Sequence, residues 1–322
     1  MALPLQKVLE DTLAAVPDAH TIAYIDDGHL VGPPDQVRAA YDFMVPRLAA
    51  IGLELNVGKC RAYSPSGPCP VFVDVVDEES RPMPGAVTAL PGLKVLGIPV
   101  GSDEWVSEAC QGLAGSLADA LPRLADLPDV QCQLLLLQFC AHPRFTYLLR
   151  GVPPDLLHSG ALTHDTAVQG SLQIIANSPT PLPPAAVSLS QQPRRWGGCG
   201  LTSAQRLSNA GYLGSWALVW AKMIVLFPHL RDLLPHLGAA EGTELGSLPT
   251  ARRLAECRAS LQRSRVAAEE VDANILPVGA RPTVSLDWSD FESSRDRLQR
   301  EFSTLTHADD FCRMYSEAPT EA

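Results

Sequence analysis

An α+β fold, with strands confined to the part before Gly101 and helices filling the remainder, is what this 322-residue sequence predicts. Three observations carry that expectation. Thr21 to Gly32 sets two adjacent carboxylates, Asp26 and Asp27, between short apolar runs, the pattern of a β-hairpin. Leu93 to Val100 repeats the two-strand pattern. Beyond Gly101 the strand signals give way to apolar residues spaced three and four apart, as on one face of a helix.

In chain order, Leu5, Val8, Leu9 and Leu13 share a helix face, and Pro17-Asp18 ends that helix. The hairpin follows, with Thr21 to Tyr24 as one strand, His29 to Val31 as the other, and Asp27-Gly28 as the expected turn. Gly32-Pro33-Pro34-Asp35 starts a second helix, marked by Val37, Tyr41, Met44, Leu48 and Ile51, bent at Pro46 and stopped at Gly52. Leu53-Glu54-Leu55 alternates as a short strand, and Val71 to Val76 reads as another. The pair within Leu93 to Val100 turns at Gly97 or Pro99. Leu113, Leu117, Leu121 and Leu124 mark the next helix. Val130 to Leu149 is apolar enough to be buried on most sides. Helices are expected over Asp155 to Ala176, Ala204 to Phe227, Ala251 to Val271 and Trp288 to Thr306, and the four-proline loop from Ser178 to Pro184 is the clearest boundary.

Composition narrows the function classes. No apolar run approaches the ~20 residues that span a bilayer, and the first thirty residues lack a signal-peptide pattern, so an intracellular protein without membrane contact is expected. Eight cysteines without a C-x-x-C pair argue for reduced thiols rather than a disulfide framework or a zinc site. A net charge of -11, from 25 basic and 36 acidic residues, predicts weak or no nucleic-acid binding by the chain alone.

Asp26 and Asp27 are the chemically pointed pair. Neighbouring like charges repel and resist burial, so a fold that holds both at a strand end calls for a cation, with Mg²⁺ the natural candidate; the plain alternative is a solvated acidic turn. Other constellations carry less. Trp196-Gly197-Gly198-Cys199-Gly200 has neither phosphate-loop spacing and reads as a flexible turn. His158 and His164 are six apart, on different helix faces, and read as solvent-exposed. Arg194, Arg195, Arg252, Arg253, Arg263, Arg265, Arg295, Arg297 and Arg300 are interleaved with acids and read as solvated helix faces.

Taken together and in this order, Ala23-Tyr24-Ile25-Asp26-Asp27, Val31-Gly32-Pro33-Pro34, Leu53-Glu54-Leu55-Asn56, Lys59-Cys60 and Leu96-Gly97-Ile98-Pro99-Val100-Gly101 resemble the palm and palm-to-thumb region of a reverse transcriptase of the non-LTR retrotransposon type. The similarity runs on through Pro143-Arg144-Phe145, Leu148 to Pro154 and Gly197 to Leu201, to about Trp216. It implies RNA-directed DNA synthesis by two-metal nucleotidyl transfer on an RNA template and a DNA primer. By the same resemblance Asp26 would be the main Mg²⁺ ligand and Asp27 would assist it. Tyr24 would lie beside the primer end, Lys59 would neutralise the leaving pyrophosphate, and Gly97 would sit in the hairpin near the primer grip. The family's first palm motif, with a further metal-binding aspartate, its Gly-x-Pro-x-Gly template loop and its fingers are not found in the sequence. The chain is therefore expected not to polymerise unaided.

The resulting expectation is a truncated palm of antiparallel hairpins and helices over 1–101, a helical thumb-like region over 102–177 and a helical C-terminal region over 178–322. Two functions compete: the C-terminal portion of a retroelement reverse transcriptase, inactive alone, or a non-enzymatic helical protein-interaction module that carries a palm remnant.

Overall fold

In the computed structural model the described residues are 2–24, 27–65, 91–228, 230–231, 248–269, 286 and 298–316. They fall in two compact units, Met1–Val106 and Ser107–Ala322. The expected strand at Val71 to Val76 and the first part of the helix expected from Trp288 lie outside the described residues.

The first unit runs α1 (Ala2–Ala15), β1 (His20–Tyr24), β2 (Asp27–Val31), α2 (Pro34–Ala50), β3 (Gly92–Val95) and β4 (Ile98–Gly101). Helix α1 carries its apolar face to α2, so that Val8, Met44 and Leu48 form a small core with Leu5, Leu9, Leu30 and Leu53, next to a second set of Val16, Ala19 and Ala40. Leu30 touches both sets and ties β2 to the helix pair. Helix α2 ends as expected at Gly52. That residue has φ +80°, its N–H donates to the Ala49 carbonyl, and the Leu53 N–H reaches back to Leu48, the Schellman pattern. Pro46 lies inside the helix. Leu53-Glu54-Leu55 forms no strand; it leads instead into a 3₁₀ turn, Val57–Lys59.

Strands β3 and β4 pair antiparallel from Gly92↔Gly101 to Val95↔Ile98. The turn falls on Leu96-Gly97, one of the two expected places, with φ +49° and +83°. Two successive positive φ values are the demand of a type I′ turn, which Gly97 meets without strain. The two hairpins are separate two-stranded sheets among the described residues.

Helix α3 (Asp103–Ala120) crosses from the first unit into the second. The second unit is otherwise helical: α4 (Val130–Leu136), α5 (His142–Thr146), α6 (Pro154–Ile175), α7 (Pro184–Gln191), α8 (Ala204–Leu226), α9 (Pro249–Glu269) and α10 (Leu298–Ser316). Helix α8 is central. It packs against α6, α9, α10 and the 3₁₀ turn Tyr147–Arg150, burying Leu213, Ala217 and Trp220 among Leu254, Leu261, Phe302 and Leu305. Helices α6 and α8 therefore pack on each other across the Ser178 to Pro184 loop, and that loop ends in α7, a helix the sequence pattern missed. The pair of prolines Pro183 and Pro184 supplies its start, where a proline's missing N–H is no loss.

The apolar segment Val130 to Leu149 departs from expectation. Leu137, Phe145, Leu148 and Leu149 are buried, yet Val130, Leu135, Leu136 and Phe139 are exposed. A π-helical turn at Leu137–Ala141 divides α4 from α5, so the segment presents one side, not its whole circumference, to the core. No helix among the described residues is long and apolar enough to cross a membrane.

Phe302 is fully buried and Val225 is 72% exposed. Phe302→Ala should cost about 3–5 kcal/mol in a urea titration of the helical unit, and Val225→Ala less than about 0.5 kcal/mol.

Candidate functional site

The hairpin β1–β2 is anchored at its open end. Gly32 lies so close to the Asp18 carbonyl that a Cβ there would stand 2.5 Å from its oxygen, and this approach holds His20 opposite Val31. Pairing then runs Thr21↔Leu30, Ile22↔His29, Ala23↔Gly28 and Tyr24↔Asp27. The turn expected at Asp27-Gly28 is thereby corrected: both residues belong to β2. Register set at the base, not dipeptide preference at the tip, decides where the chain reverses. Asp26 itself lies outside the described residues.

Alternation across the pair sends Thr21 and Leu30 to the face that meets the helices, and Ile22, Tyr24, Asp27 and His29 to the other. Tyr24, 58% exposed, and Asp27, also exposed, thus stand side by side at the last described rung of the hairpin. Ile22 and Val31 are half exposed on the same face. Lys59 ends the Val57–Lys59 turn, where its N–H donates to Asn56 Oδ1 at 3.2 Å and its side chain is exposed. Gly97 occupies the tip of the other hairpin. Among the described residues, no three His, Cys, Asp or Glu side chains converge as a metal site would require.

The helical unit holds a polar cluster that sequence reasoning missed. His164, expected in solvent, is 1% exposed; His158 is exposed as expected. The reason is helical phase. Leu157, Ala161, His164 and Val168 recur on the buried stripe of α6, and that spacing was the available signal. The His164 Nδ1–H donates to Asp165 Oδ1 at 3.1 Å. Asp165 also accepts the Ser203 hydroxyl at 2.6 Å and the Ala204 and Gln205 amides at 2.8 and 3.2 Å, while Ser203 Oγ accepts the Arg206 amide at 3.1 Å. His142 of α5 packs against His164 with the rings tilted and their centroids 5.3 Å apart, and hydrogen-bonds Thr202 Oγ1 at 3.1 Å.

Serine, histidine and aspartate in one cluster invite comparison with a hydrolase triad, and the geometry rejects it. Ser203 donates to the carboxylate and not to a histidine, and His164 Nε2 is buried without a partner. A nucleophile needs a base on its hydroxyl. The cluster is a buried N-cap for α8.

Two further expectations change. The Trp196 to Gly200 segment is no loose turn: Cys199 and Leu201 donate to the Ser190 carbonyl and Gly200 to that of Gln192, so these amides are unavailable to a phosphate. Arg253 does not lie on a solvated face. It is 8% exposed and pairs with Asp155 of α6 at 2.9 Å. Arg194 hydrogen-bonds Gln138 and lies over the Phe139 ring, and Arg195 reaches Thr304 Oγ1 at 3.4 Å.

These placements separate stability from function. Asp165→Ala strips four donors of their acceptor, three of them in buried hydrogen bonds, and should lower stability by at least about 3 kcal/mol, whereas Tyr24→Ala and Lys59→Ala should each change it by less than about 0.5 kcal/mol, as read by chemical denaturation. Comparison with family models, with curated proteins and with solved structures finds no match for this chain.

Proposed function

We propose that the chain is the palm-hairpin and thumb portion of a retroelement reverse transcriptase, an RNA-directed DNA polymerase whose active site it supplies in part. One observation carries the reading. The hairpin register pairs Tyr24 with Asp27 at the outermost described rung, and both residues are exposed there, directly flanking Asp26 in the sequence. A Tyr-x-Asp-Asp segment used for nucleotidyl transfer has to be offered to a primer end in this manner.

The donor chemistry at the tip suits Mg²⁺, since carboxylate oxygens are the hard ligands it prefers. The number of donors does not suit a pair of ions. Two adjacent aspartates leave most of two octahedral shells unfilled, and no group of three or more ligating side chains assembles among the described residues. A working site therefore needs a further carboxylate from another polypeptide segment. In that assembly Tyr24 flanks the primer terminus and Lys59 offers its charge to the departing pyrophosphate. The RNA template and DNA primer are held by surfaces outside this acidic chain, whose net charge of -11 opposes tight phosphate binding.

A second reading, a non-enzymatic interaction module with a palm remnant, draws support from the exposed Leu218, Val219, Val225 and Leu226 on α8. Primer extension separates the two. The purified chain with Mg²⁺, an RNA template and a DNA primer should yield no product. Addition in trans of a polypeptide carrying the two upstream palm motifs should restore synthesis, and Asp26→Asn should abolish it. Synthesis by the chain alone, dependent on Asp26, would overturn the incomplete-site proposal. An Asp26→Asn and Asp27→Asn variant without any effect in the complemented assay would favour the interaction module.

A further inference from the structure

We infer that His142, packed against His164, is an acid-sensitive clasp, holding α5 and α6 to the N-terminus of α8 while its ring is neutral and releasing that terminus when the ring takes a proton. The geometry has three parts. First, the carboxylate of Asp165 is fully engaged, by the His164 Nδ1–H, the Ser203 hydroxyl and the Ala204 and Gln205 amides. With these four donors its oxygens have no lone pair left to accept a hydrogen bond from a protonated His142. Second, His142 Nδ1 and His164 Nε2 are both buried and without a hydrogen-bond partner. A proton added at His142 Nδ1 would be a buried, unsolvated donor. Third, the rings lie 5.3 Å apart and Phe145 stacks on His164 at 4.8 Å, so charge on one ring meets the other across an apolar contact.

Among the described residues the ionisable groups acting on His142 are His164 and Asp165, both on α6; from the segment that leads into α8 it meets the Thr202 hydroxyl. Burial first, and His164 second, push His142 from its ordinary 6.5 down to about 4, with Asp165 opposing. The folded-state value is depressed, so the released state binds more protons between these limits. Closure is at full strength above pH 6.5 and is lost as the pH falls towards 4. A ring that titrates near 6.5 when released and near 4 in place makes the open state about twentyfold more populated at pH 5 than at pH 7. His307 on α10 is also driven to about 4, by burial and by Arg195, but it sits with Trp196 in a separate cluster. It contributes to global acid sensitivity and not to this contact.

Amide hydrogen exchange on the intact chain tests the clasp, with intrinsic rates corrected for pH and a peptide covering 202–208 compared with one from the middle of α8. The expected result is a loss of protection of about twentyfold at Ala204 and Gln205 between pH 7 and pH 5, with His142→Gln reducing that change to less than about threefold. An unchanged wild-type protection factor, or the same loss in His142→Gln, would overturn the proposal. Should His142→Gln already be unprotected at pH 7, the His142 ring is followed by NMR in the wild type: a ring neutral to below pH 5 supports the clasp, and one that titrates near 6.5 contradicts it.

Discussion

The Asp165 carboxylate beneath the first turn of α8 is the contact on which the helical unit depends. A helix that starts in the interior brings amide groups with no intrahelical partner, and each would be costly to bury unpaired. Asp165 takes two of them directly, Ser203 takes a third through its own hydroxyl, and the carboxylate holds that hydroxyl in place. With its start satisfied, α8 can run through the core, where α6, α9, α10 and the Tyr147–Arg150 turn all pack on it. The surrounding ion pairs follow the same logic at its flanks. Arg206 of α8 reaches Asp309 at 3.1 Å and Asp310 at 2.5 Å on α10, and Arg253 of α9 reaches Asp155 on α6. Burial raises the Asp310 carboxyl from its ordinary value against the pull of Arg206, so part of the attraction within this network is offset by the cost of removing its charges from water.

The first unit solves a different problem. Its hairpin has one face committed to α1 and α2 through Leu30 and the other open, with Ile22, Tyr24 and Val31 exposed. The base of the hairpin is fixed by the close approach of Gly32 to Asp18, and the acidic tip is what remains free to engage something else. Repulsion between the adjacent carboxylates of Asp26 and Asp27 is a cost that a cation or a binding partner can remove.

Helices were the most legible part of the sequence, because their apolar residues repeat over many turns. The helices at Ala2–Ala15, Pro154–Ile175 and Ala204–Leu226 lie within a residue or two of their expected bounds. Short-range signals were less decisive. Asp27-Gly28 carries turn chemistry, yet the packing of Gly32 set a register that placed both residues in a strand. Leu53-Glu54-Leu55 alternates, yet Leu53 serves the helix-pair core and no partner strand meets the segment among the described residues. Of the candidate site, Tyr24 and Asp27 emerged together at the hairpin tip, and Lys59 in an exposed turn, because exposure follows from their polar settings. The Asp165 cluster was hidden since its members, His142, His164, Asp165 and Ser203, come from three distant segments. Only the phase of His164 along α6 marked one of them as buried.

The central claim is that Asp26 and Asp27 form part of a polymerase site completed by sequence outside this chain. Sequencing of full-length cDNA, read 5′ of the codon for Met1, tests it most directly. The account predicts an open frame that encodes an aspartate-bearing strand followed by a Gly-x-Pro-x-Gly loop. An in-frame stop codon directly upstream in the mature transcript would contradict it, and would leave the helical unit and its exposed α8 face as the functional part of the protein.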